Sequence, residues 1–243
     1  QKTAYEIPKR DWSSDVCSSD LLDDFFMIRA ASVKLKVESG ISSVNLSGFT
    51  PVQLFEALLE KSKQLVSKQN KIWHSLLLPE LAHQNIHIIK WHDLTATERE
   101  YAKGLFDSSI FPVLTPLAVD PSRPFPYISG LSISLAVLVR NPESGEEFFA
   151  RVKVPNTLPR FVVVNQQINN RFIALEEVIA AHLEELFPGM IIEDYFAFRV
   201  TRNEDLDLEE EESDNLLETM EQELQRRKFG PPVRLEVEDD IKA

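Results

Sequence analysis

The chain has 243 residues, 43% hydrophobic and 27% charged, with 26 basic against 39 acidic side chains and a formal net charge of −13. These are globular proportions, and the longest nearly apolar run, Leu131 to Val139, is about half of what a bilayer-spanning helix needs, which excludes wholesale disorder and a membrane-spanning helix. The one cysteine, Cys17, cannot form an internal disulfide or a metal cluster, and no basic segment followed by an apolar stretch opens the chain, so a cytoplasmic protein is expected.

The negative charge is local. Eleven acidic residues and no basic one lie between Glu204 and Glu223, leaving 28 acidic against 26 basic residues elsewhere. Binding to nucleic acid rests on clustered lysine and arginine that release counterions, and no such cluster is present, so nucleic acid is not an expected partner. The acidic stretch reads as a solvated helix face. A metal-binding reading meets a spacing that lacks the glycine and alternating ligands of a calcium loop.

Residues 1–20 hold two Ser-Ser-Asp units, an isolated Trp12 and no sustained hydrophobic period. The segment resembles translated adaptor sequence and is set aside as one sets aside a tag; a natural polar arm is the other reading. Leu22 to Lys36 has helical spacing with Asp23 and Asp24 early, and Phe25, Phe26 and Ile28 are expected to face a core. Glu38 to Phe49 is polar and reads as a loop. Thr50, Pro51 and Gln53 form a helix start, and the helix runs through Leu54, Leu58 and Val66. A continuation carries Trp73 and Leu77, with Pro79 marking a break, so two or three packed helices form an N-terminal unit over 21–110.

Ile86 to Lys90 reads as a short strand, and Thr95 with Glu98 as a capping box that opens a helix. Five prolines between Phe111 and Tyr127 predict an extended surface crossing and a domain boundary there. Beyond it, Leu131 to Arg140 and Phe148 to Val154 are strand-like runs joined by a hairpin at Asn141 to Gly145. Phe161 to Val164 and Arg171 to Ile173 add short strands. Leu175 to Phe187 reads as one amphipathic helix, Tyr195 to Arg202 as a strand, Ser213 to Lys228 as a helix and Val233 to Val237 as a last strand. The order predicts an α+β fold: part of a helical bundle, then a mixed, largely antiparallel sheet with packed helices over 111–243.

The residues show no catalytic constellation. Seven glycines offer neither a GxGxxG nor a Walker A spacing. His83 and His87 are four apart, as in a helical metal pair, but the surrounding residues look extended and the pair reads as an ordinary connector. His182 reads as the boundary residue of an amphipathic helix, and no histidine is flanked by both an orienting carboxylate and a phosphate-binding loop. Arg199 and Arg202 could clamp phosphate, or tether their strand to Glu204 or Asp205. Lys34 and Lys36 could line an anion path or be surface lysines.

Residues 22–29 (LDDFFMIR) resemble the end of the helical N-terminal domain of polyphosphate kinases of the large bacterial type. The segments FPVLTPLAVDPSRPFPYISGLSISLAVLVRNP (111–142), RVKVPNTLPRFV (151–162) and FRVTRNEDLDLEEEESDNLLETMEQELQRRKFGPPVRLEV (198–237) resemble that family's head domain. The likeness covers about 21–240. It implies a whole enzyme that reversibly transfers the terminal phosphate of ATP to polyphosphate through a phosphohistidine with magnesium, its catalytic and metal residues lying in C-terminal domains beyond residue 243. It further implies that this part supplies a nucleotide lid and, through the head domain, contacts of a homo-oligomer, with membrane association possible only for the full enzyme. The family's nucleotide site borrows an asparagine at the position of Leu21, which offers no amide, so no residue here is carried over as catalytic, cofactor-binding or metal-binding, and this part alone is expected to be inactive. Exposed apolar surface on the Pro-rich crossing and the hairpin is the expected contact patch. An independent, non-catalytic interaction or dimerisation module is the alternative.

Overall fold

Residues 18–119, 127–164, 170–204 and 230–238 are described by the computed structural model. The chain divides into two compact units, Gln1–Ser62 with Val200–Leu235, and Lys63–Arg199 with Glu236–Ala243.

In the first unit, helix α1 (Ser18–Asp24) passes through a π-helical turn (Phe25–Ala30) into α2 (Ala31–Glu38). The wider turn shifts the inward face by a residue. Phe26 and Met27 are therefore buried, while Ile28 is 43% exposed, contrary to the face expected from a regular helix. Strand β7 (Ile191–Arg202) ends in this unit and β8 (Pro232–Val237) begins there. Asn203 donates its backbone N–H to the Pro231 carbonyl and Glu204 donates its own to Met27. Lys34 Nζ donates to the Pro232 carbonyl at 2.7 Å, and the Arg234 guanidinium lies 4.8 Å from the centre of the Phe26 ring.

Helix α3 (Pro51–Ile72) opens as its sequence predicts. Thr50 N–H donates to Gln53 Oε1 at 3.0 Å and Gln53 N–H to Thr50 Oγ1 at 3.3 Å, so two otherwise unpaired donors are satisfied. The helical path does not break at Pro79. It continues through a π-helical turn (Trp73–Leu77) into α4 (Leu78–His83), and Pro79 follows directly on that wider turn, an irregularity of the kind that accommodates a proline inside a helix.

The second unit holds the larger core. Strand β1 (His87–Ile89) pairs in parallel with β6 (Arg171–Ala174), which pairs antiparallel with β5 (Phe161–Val163). A second sheet has the order β2-β4-β3-β7-β8. Pro116 heads β2 (Pro116–Val119), an edge position where proline's missing donor is tolerated. The hairpin of β3 (Ile133–Arg140) and β4 (Glu147–Lys153) closes as expected, with Gly145 at φ 73° and Asn141 Oδ1 accepting from Glu143 N–H at 2.8 Å. A bulge between Leu138 and Val139 offsets β3 against β7.

Helix α5 (Ala96–Leu105) carries the Thr95–Glu98 capping box and ends in a π-helical turn (Phe106–Ile110). The single helix expected over Leu175 to Phe187 is instead two, α6 (Leu175–Ala180) and α7 (Leu183–Leu186), separated at Ala181 and His182. The inward residues hold: Val178, Ile179, Leu183 and Leu186 join Leu135, Val137, Ala150, Val152 and Phe106 in one core. Each such fully buried aliphatic side chain contributes roughly 1.5–3 kcal/mol. The expected helix over 213–228, the turn at 165–169 and the middle of the Pro-rich crossing, 120–126, lie outside the described residues.

Candidate functional site

The second unit contains a cleft of about 790 Å3 whose wall includes Asn70, His74, Lys90, His92, Glu176 and Glu177, with Asp194, Tyr195 and Glu238 closing the far side. Glu176 and Glu177 stand in the first turn of α6, where the helix dipole favours negative charge. Glu177 Oε2 accepts from Trp91 N–H at 3.3 Å, Glu238 Oε2 from Ala197 N–H at 3.2 Å, and Asp194 Oδ1 from Tyr195 N–H at 2.9 Å.

Glu176 is the unusual group. Its Oε1 accepts from Arg160 Nη2, while Oε2 is buried and has no hydrogen-bond partner among the described residues. Burial pushes this carboxyl above its usual range, and neighbouring Glu177 and Glu238 push the same way. The residue's own backbone N–H and then Arg160 oppose the shift, and Arg160 is itself 44% exposed, so water weakens its pull. Burial likewise raises the Tyr195 phenol, assisted by Glu177, Glu238 and Asp194. Four carboxylates face one lysine in this cleft. Such a wall disfavours a bare polyanion.

The residues singled out from sequence fall elsewhere or take structural roles. His83 ends α4 and His87 lies on β1, so their four-residue spacing shares no helix face; His87 Nε2 is 3.3 Å from Asn85 Oδ1. Among the described residues no three metal-capable side chains gather. His182 is a core residue rather than a boundary one. It is 7% exposed, stacks on Phe106 with ring centres 4.4 Å apart, meets Trp91 edge-on at 5.1 Å, and bonds the Val178 carbonyl through Nδ1 at 2.8 Å. His92 does have a carboxylate neighbour, Asp93 at 3.5 Å, with both side chains mostly in solvent.

Arg199 meets Glu236 on β8, through Nε at 2.8 Å and Nη2 at 2.6 Å. Arg202 Nη1 donates to the Gly230 carbonyl at 2.7 Å. Lys34 is taken up by Pro232 and Glu38, Lys36 is exposed, and Leu21 is 58% exposed on α1. Cys17, Asp205 and the rest of the acidic run to Glu223 lie outside the described residues. Sequence reasoning missed Glu176, Arg151 and the pairing of Glu98 with Arg171. An acidic pair opening a helix was the available signal for the first; an arginine amid the apolar residues of β4 was the signal for the second.

A sequence model described as the polyphosphate kinase middle domain matches residues 97–243, more than half of the chain. The chain belongs to the polyphosphate kinase family. The model of that family's N-terminal domain matches residues 15–89. A polyphosphate kinase of Streptomyces coelicolor is 49% identical over 220 residues, covering 90% of this chain and 29% of that protein. One from Thermosynechococcus vestitus is 47% identical over 229 residues, covering 92% and 31%. The chain thus spans about 30% of the length of these polyphosphate kinases. The crystal structure of polyphosphate kinase from Porphyromonas gingivalis superposes with a TM-score of 0.70 at 23% identity, over 92% of this chain and 30% of that one, a likeness of fold. It agrees with the α+β class expected from sequence.

Proposed function

We propose that this chain is the framework part of a polyphosphate kinase, in which residues 21–110 help cover the nucleotide and 111–243 form the head domain that brings two copies together. The parent enzyme transfers the terminal phosphate of ATP reversibly to polyphosphate through a phosphohistidine, with magnesium, and does so on residues outside this chain. The observation that carries this reading is the family match joined to a cleft whose wall is acidic. A site for ATP and a polyphosphate chain needs clustered cations, and carboxylates outnumber lysine in the cleft around Glu176.

The contact surface in this reading is the start of the Pro-rich crossing and the hairpin. Phe111, Val113 and Leu117 are 43%, 50% and 42% exposed, and Leu138 on β3 is 36% exposed. Exposed apolar side chains of this kind are those an association site would cover. The test is to incubate the purified chain with ATP, magnesium and polyphosphate. No exchange above a buffer blank and no labelled histidine are expected. Measurable turnover, or a histidine labelled from radioactive nucleotide, would overturn the reading.

A further inference from the structure

We draw no further inference here: the strongest candidate, the acidic cleft lined by Glu176 and Glu177 of α6, Asp194 of β7 and Glu238 just after β8, belongs to the site already described, and nothing in it beyond its carboxylates points to a ligand.

Discussion

Gly230 packs against the backbone of Asn203 so closely that a Cβ at Gly230 would stand 2.0 Å from the Asn203 carbonyl oxygen and 3.0 Å from its carbon. The two residues flank the acidic excursion, one leaving β7 and the other entering β8. Arg202 and Asn203 bond the Gly230 and Pro231 carbonyls across the same junction.

A methyl group at Gly230 would meet backbone, which cannot swing aside as a side chain can. Gly230→Ala should therefore destabilise the chain by about 2–3 kcal/mol. Urea unfolding measures this, and an unchanged midpoint would refute the close approach.

Glu98 joins a helix cap to a strand. Its carboxylate accepts from Thr95 N–H at 2.9 Å and Thr95 Oγ1 at 3.0 Å, and from Arg171 Nε at 2.6 Å. Burial raises its pKa, but the Thr95 and Arg171 hydrogen bonds outweigh burial and leave it below the ordinary value of 4.5. The stability contributed by this depressed carboxyl is present above pH 4.5 and is lost as pH falls through the lower folded value. Glu98→Gln should cost about 1–3 kcal/mol at pH 7, with the difference from the parent narrowing in acid. Denaturation at pH 7 and at acid pH separates this from a pH-independent packing loss.

Glu176 should behave in the opposite sense. Its raised folded pKa means that the native state binds a proton more tightly than the unfolded chain. The resulting stability is full below the unfolded value near 4.5 and is lost as pH rises through the folded value. A 13C titration of the Glu176 carboxyl should give a midpoint above 4.5, and in Glu176→Gln that pH-dependent component should vanish. A midpoint at or below 4.5 would contradict the buried, unpartnered oxygen.

His182 fills core volume between Phe106 and Trp91. His182→Ala should cost about 2–4 kcal/mol through the cavity left behind, and His182→Leu about 1 kcal/mol through loss of the bond to Val178. Thermal unfolding of the two variants gives the ranking, and equal losses would show that volume is not what matters there.

The elements legible in sequence are those whose hydrogen bonds close within a few residues. Thr50 with Gln53 and Thr95 with Glu98 announce their helices because cap and acceptor stand three apart. The Asn141–Gly145 hairpin is legible because its turn residues bond one another. Pro79 was misleading, since the π-helical turn just before it lets the helical path carry a proline without ending. The expected single helix after Leu175 had the correct inward face but missed the break at Ala181 and His182, where the ring turns into the core. In the candidate cleft the acidic pair Glu176 and Glu177 was visible as composition, but its confinement beside Asp194 and Glu238 was not.

The sequence by itself determined the caps, the hairpin, the near-neutral body beside an acidic run, and the likeness to polyphosphate kinases, all of which depend on neighbours along the chain. Only the tertiary structure decided that Glu98 meets Arg171 across 73 residues, that His182 is buried, and that Arg151 lies buried in the sheet on Ser134 and the Tyr127 carbonyl. The reason is physical: a local bond is set by backbone geometry over a turn or two, whereas the partner and burial of a charge depend on how distant strands close upon it.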